Sequence, residues 1–169
     1  MKEQEVNMNR IEAVLSDMVS YYQGDHKRIN HFLKVYGFAK LIGAQEELND
    51  VKQEILEIAA LTHDIGIKNS ELKYQSSSGT YQQIEGPPEA KIMLERIGID
   101  GAIVDRVCWL IAHHHTYHTI DSIDYQILVE ADFLVNIFED EMSIASIKNI
   151  REKIFKTKSG LKLLDALYL

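Results

Sequence analysis

Cysteine is nearly absent from this chain of 169 residues, with Cys108 the only one. A lone cysteine excludes an internal disulfide and a thiolate metal cluster, and it suits a reducing compartment. Cys108 falls within an apolar helical pattern, where a thiol acts as a small inert apolar group. Positive charge is also in short supply: Lys and Arg total 18 against 26 Asp and Glu, a formal net charge of −8. Binding to a nucleic-acid polymer or an anionic membrane depends on clustered cations, so neither is expected as a partner. A small anionic substrate stays compatible if a metal supplies positive charge locally. No apolar run approaches membrane-spanning length, and the opening Met1-Lys2-Glu3-Gln4-Glu5 is charged where a signal peptide would be apolar. A soluble, cytoplasmic protein is expected. Strand alternation and repeats with a period of about 20 to 50 residues are both missing.

What remains is helical periodicity from end to end. Apolar positions at Ile11, Val14, Leu15 and Met18 predict an amphipathic helix over about 6–22. Gly24 breaks it, Asp25 is placed to cap the next, and that helix runs to about Gly43 with His31, Val35, Phe38, Ala39 and Ile42 on one stripe. A third helix starts near Val51 and turns apolar on most sides at Ala59-Ala60-Leu61, ending in His63, Asp64 and Gly66. Residues 68–86 are rich in Ser, Gly, Gln and charge, and read as a long functional loop. Pro87-Pro88 suits the first turn of a helix reaching Ile97. Further helices are expected over 102–115, 125–138, 143–155 and 160–168. The 125–138 helix is almost apolar all round and therefore central. The expected fold is all-α, a single-domain bundle of about seven to eight helices over 1–169. Its core lies at about 25–137, and helices within 143–168 pack against it.

Three inward-facing polar positions stand out on three helices: His31, the His63-Asp64 pair and Asp132. A buried carboxylate needs a cation or several donors. Each position alone fits a satisfied core group. Together, two imidazoles and two carboxylates make an N/O set suited to a divalent ion such as Mn, Fe, Ni, Co, Zn or Mg, with coordination positions left for water and a substrate oxygen.

The ordered set resembles the HD-domain metal-dependent phosphohydrolases, through Arg28-Ile29-Asn30-His31, Leu61-Thr62-His63-Asp64-Ile65-Gly66 and Glu130-Ala131-Asp132-Phe133-Leu134. That resemblance implies His31, His63, Asp64 and Asp132 as metal ligands, and hydrolysis of a phosphate ester or phosphoanhydride by metal-activated water. Family members often carry extra histidines that recruit a second metal or hold substrate. Here His113-His114-His115 and His118 occupy that place, with His114 preferred as the inward member and His113 next. No histidine occurs between His63 and His113. One tightly bound ion is therefore favoured, with a second allowed for, and Glu85 stands in as a carboxylate ligand or water-activating base. Asp64, His114 and Glu85 are the catalytic candidates; Lys68, Lys73, His113 and Tyr81 are the substrate-binding ones. Tyr74, Tyr117 and Trp109 are further candidates for a stacking wall. Ile67 directly after Gly66, and Thr116-Tyr117-His118 after the histidines, depart from the members that hydrolyse cyclic dinucleotides.

The expected substrate is a nucleotide or another small phosphorylated metabolite. Two rival functions stand beside hydrolysis: a non-catalytic metal- or nucleotide-binding regulatory module, and a di-iron oxygenase of the same fold. The oligomeric state is left open, homodimer included.

Overall fold

The computed structural model describes residues 9–169. The expected helix start near Val6 and the charged segment 1–5 lie outside the described residues. Nine helices and no strands occur among those described: α1 (Arg10–Tyr21), α2 (His26–Gln45), α3 (Asp50–Thr62), α4 (Ile67–Tyr74), α5 (Gly79–Ile97), α6 (Gly101–His113), α7 (Ile123–Glu139), α8 (Ile144–Lys153) and α9 (Lys158–Tyr168). None of them is long and apolar enough to cross a membrane.

Side-chain caps account for many of the starts. Asn9 accepts from the Glu12 amide while Glu12 returns a bond to the Asn9 amide, a reciprocal capping box. Asp25 accepts from the Arg28 amide at the head of α2, Asn49 caps α3, Ser143 caps α8 and Thr157 caps α9. Gly98, at φ 86°, closes α5 in a left-handed conformation that a Cβ would strain.

α7 is the axis of the bundle, with every residue from Asp124 to Asp132 buried. α2 and α3 pack on it and on each other, while α5 and α6 form a pair that meets α3 through α6. α3 sinks as it proceeds, so Ile55 to Thr62 are all buried by its end. One contiguous apolar core joins these helices, and each fully buried Leu or Ile adds roughly 1.5–3 kcal/mol over exposure. Cys108 is half-buried there, and burial pushes its thiol up, away from the thiolate.

The segment 68–86 departs from the expected loop. Most of it is helical, as α4 and the first turns of α5, and Pro87 and Pro88 lie inside α5 rather than at its start. Tertiary contacts explain the difference. Arg28 holds Glu71 at 2.5 Å, Glu85 takes Lys73 at 2.6 Å and the Tyr74 hydroxyl at 2.9 Å, and Ser70 bonds back to the Gly66 carbonyl at 2.7 Å. Gln75, left-handed at φ 54°, ends α4. α5 crosses the His63-Asp64 turn so closely that a Cβ on Gly66 would come within 2.5 Å of the Gln82 carbonyl and 2.7 Å of the Gly86 amide.

The C-terminal helices are fastened to α7 by Glu130. Its buried carboxylate accepts from the Lys156 and Thr157 amides at 2.7 and 2.9 Å, from the Thr157 hydroxyl at 2.5 Å and from Gln126 at 2.7 Å. Gly160 is needed beside it, since a Cβ there would collide with this carboxylate.

Candidate metal centre

Four donors from three helices meet at one point. α2 brings His31, the end of α3 brings His63 and Asp64, and α7 brings Asp132; His31, His63 and Asp132 are buried. His31 Nε2 lies 3.2 Å from His63 Nε2, 3.3 Å from Asp64 Oδ2 and 3.2 Å from Asp132 Oδ1. His63 Nε2 lies 3.4 Å from Asp64 Oδ2 and 3.5 Å from Asp132 Oδ1. A divalent ion bonded at about 2.1 Å keeps neighbouring donors about 3.0–3.4 Å apart, so the His31, His63 and Asp64 atoms, all within 4.8 Å of one another, fit one ion, and Asp132 Oδ1 stands at similar spacing from both imidazoles.

The outer contacts of the rings make the same case. His31 Nδ1 faces Glu139 Oε2 at 2.8 Å and His63 Nδ1 faces the Ala60 carbonyl at 2.8 Å. Both partners accept only, so each Nδ1 carries the hydrogen and each Nε2 turns a lone pair inward. Two lone pairs and two carboxylates converging in a buried place repel one another unless a cation sits between them. In the chain by itself protons take that part. Burial alone would lower His63, but the Asp64 and Asp132 carboxylates raise it well above the usual imidazole range. Burial would likewise raise Asp64, yet His63 and His114 hold it well below the usual carboxylate range.

A second convergence shares Asp64. His114 and His115, at the end of α6, can each offer one donor atom within 4.8 Å of an Asp64 oxygen and of each other. His114 Nδ1 donates to the Ile111 carbonyl at 2.8 Å. Its Nε2 is buried without a hydrogen bond and faces Asp64 Oδ1 at 3.5 Å. His115 Nε2 meets Gln82 Oε1 at 3.1 Å, and burial foremost lowers its pKa to about 4. The His63-Asp64 turn itself is held from α1, where Tyr22 donates to the Asp64 carbonyl at 2.8 Å.

A cleft of about 440 Å³ opens over the first set, with Arg28, Lys27, Gln82, Asn136 and Glu139 on its walls beside His31 and Asp64. Three larger surface hollows, of about 590, 620 and 530 Å³, are lined by no histidine, so the smaller cleft is the one that meets the metal-binding cluster.

Five residues expected at the site are placed elsewhere. Glu85, Lys73 and Tyr81 gather between α4 and α5, where Glu85 and Lys73 neutralise each other and Tyr81 stacks on Tyr74 at 4.1 Å. Lys68 donates to the Tyr21 carbonyl at 3.1 Å and sits over the Tyr21 ring. His113 stacks on Trp109 at 4.0 Å and bonds the Trp109 carbonyl, one helical step round from His114. Conversely, sequence reasoning passed over Arg28, Gln82, Asn136 and Glu139. A signal existed for the last two: Asp132, Asn136 and Glu139 recur at i, i+4 and i+7, one polar stripe along an otherwise apolar helix.

Fold and ligand set together define a class, the all-helical metal-dependent hydrolases. The model of the HD domain family matches residues 28–137, a stretch holding His31, His63, Asp64 and Asp132, and the chain belongs to that family. Among solved structures it is similar to a "predicted HD superfamily hydrolase" from an uncultured Thermotogales bacterium, at 22% identity and a TM-score of 0.66. That likeness covers 92% of this chain and 83% of the other, and is one of fold. No curated protein matches the sequence significantly.

Proposed function

We propose that the protein is a metal-dependent phosphohydrolase that cleaves a phosphate ester or phosphoanhydride of a nucleotide or another small phosphorylated metabolite. The observation that carries the reading is the convergence of His31 Nε2, His63 Nε2, Asp64 Oδ2 and Asp132 Oδ1, with imidazole lone pairs turned inward by outer hydrogen bonds. A divalent ion bound there supplies positive charge to a phosphoryl oxygen and lowers the pKa of a water.

The chain's own residues supply the rest. Arg28, steadied by Asp25 at 2.6 Å and Glu71 at 2.5 Å, presents a fixed guanidinium beside the ligands, suited to a phosphoryl oxygen. Lys27 adds a second cation on the cleft wall. Asp64 turns one oxygen to each convergence, Oδ2 to His31 and His63 and Oδ1 to His114. His114, with its Nε2 free of hydrogen bonds, is positioned to take or give a proton there. Were a second ion bound, Asp64, His114 and His115 would hold it, and His114 would then serve as a ligand in place of its proton-carrying role.

Elemental analysis followed by a phosphatase panel with added Mn, Ni, Co and Mg tests the reading. Metal retention and phosphate release that both disappear in Asp64→Ala and Asp132→Ala are expected. Metal-replete protein that releases no phosphate from any monoester, diester or nucleotide would leave a regulatory module instead.

A further inference from the structure

We infer that the compound cleaved is a polyhydroxylated phosphate, such as a sugar or polyol phosphate, whose hydroxyls are read by Asn136 and Asp140; this rests on the phosphohydrolase reading above. The groups that remain without partners in the cleft point to it. Glu139 is taken up by His31 at 2.8 Å and Lys34 at 2.7 Å, and Arg28, held by its two carboxylates, is reserved for the phosphoryl group. Gln82 is taken up by Ser77 and His115. Asn136, half-buried, and the exposed Asp140, Ser77 and Lys27 line the same cleft, and their side chains are left to solvent or ligand, with no hydrogen-bond or ion-pair partner among the described residues.

An amide, a carboxylate, a hydroxyl and an ammonium offer both donors and acceptors. A ligand answering both kinds at several points is one whose groups donate and accept alike, as hydroxyls do. An amine would call for acceptors only. Asn136 lies one helical turn beyond Asp132 and Asp140 another turn on, so the stripe leads away from the ligands toward solvent, where the body of a phosphorylated compound must extend.

A nucleobase, by contrast, needs a flat apolar or aromatic face. Among the described residues Ile67 is the one aliphatic side chain lining this cleft and the His31 ring, committed to the metal centre, the one flat ring; Tyr21 and Tyr22 line an adjoining hollow, where their rings are faced by Lys68 and Arg28. The rings nominated from the sequence are engaged elsewhere: Tyr74 with Tyr81, Trp109 with His113 and Arg106, and Tyr117 with Phe133.

Two measurements on the metal-loaded protein test this. Hydrolysis of glycerol and pentose phosphates is compared with that of nucleoside monophosphates and propyl phosphate; kcat/KM at least tenfold higher for the polyol compounds is expected. Calorimetry with non-hydrolysable phosphonates should show the dihydroxypropyl compound binding at least tenfold more tightly than propylphosphonate, and Asn136→Ala should narrow that gap severalfold in Kd and, with glycerol phosphate as substrate, raise KM while leaving kcat near wild type. Nucleoside monophosphates cleaved as well as or better than polyol phosphates, or equal binding of the two phosphonates, overturn the inference while leaving the phosphohydrolase standing. Failure to cleave any phosphate compound removes both.

Discussion

Glu139 accepts the Nδ1 hydrogen of His31 at 2.8 Å, and so decides which nitrogen of that ring faces the metal centre. Its other oxygen holds Lys34 at 2.7 Å, which fixes the carboxylate in place. Outer partners of this kind typically tune metal affinity by about 10–100-fold. Glu139→Ala should therefore weaken metal binding by about that factor in a chelator competition. Glu139→Gln, which keeps an accepting oxygen, should restore part of it. Wild-type affinity in the alanine variant would show that the ring is oriented by packing alone.

Protons and metal compete for the same ligands, and that sets the pH behaviour. His63 is raised by Asp64 and Asp132 against the opposing effect of burial, and His31 is raised against burial mainly by Asp132. A group whose folded pKa is raised contributes fully below its unfolded value, 6.5 here, and loses that contribution as pH climbs through the folded value. Chelated protein should thus lose melting temperature as pH climbs above 6.5. Metal-loaded protein should hold it, because the ion replaces the departing protons. His115 has the opposite sign: burial lowers it to about 4, so its contribution is lost as pH falls from 6.5 toward 4, outside that window. Melting temperatures of the chelated protein that stay level or rise above pH 6.5 would contradict this account.

Gly66→Ala places a Cβ 2.5 Å from the Gln82 carbonyl and 2.7 Å from the Gly86 amide. Both are backbone, so α5 must move bodily. Overpacking of this sort costs about 1–3 kcal/mol, which urea denaturation resolves. The shift should also disturb Gln82 and therefore His115. A substitution that leaves stability untouched would mean the crossing of α5 over the turn is looser than described.

Arg28 and His114 separate binding from turnover. Arg28→Ala should raise KM for a phosphate ester about tenfold or more, since a charge-assisted hydrogen bond contributes roughly 1.5–3 kcal/mol. His114→Ala should lower kcat more than it lowers thermal stability, because its Nε2 has no hydrogen bond to lose. Steady-state kinetics and melting curves on the two variants make the comparison. An unchanged KM in the first, or an unchanged kcat in the second, would remove that residue from the proposed mechanism.

The all-helical architecture could be read from the chain because its apolar positions keep helical spacing, and α7 could be placed at the centre because it is apolar nearly all round. His31, His63 and Asp132 share stripes with core residues, which is why a polar cluster was visible at all. α4 and the start of α5 were not readable as helix. Their Ser, Gly and Gln content favours a loop, and what makes them helical is distant: Arg28 for Glu71, Lys73 and Tyr74 for Glu85, Gly66 for Gly86. The same pairing explains the residues nominated for substrate. Lysines and a glutamate near a suspected active site look available in a sequence, and Lys73 and Glu85 had already found each other.

Glu130 sits two residues before Asp132 on α7 and is bonded to the start of α9. The stretch matched to the HD domain family ends at 137, before Thr157 supplies those amide and hydroxyl donors. A chain cut at that family boundary would keep His31, His63, Asp64 and Asp132 and still strand a buried carboxylate on α7 without its donors, with Glu139 removed as well. The C-terminal segment thus completes the hydrogen bonds of a carboxylate on the very helix that carries Asp132, although the two side chains leave that helix on opposite faces.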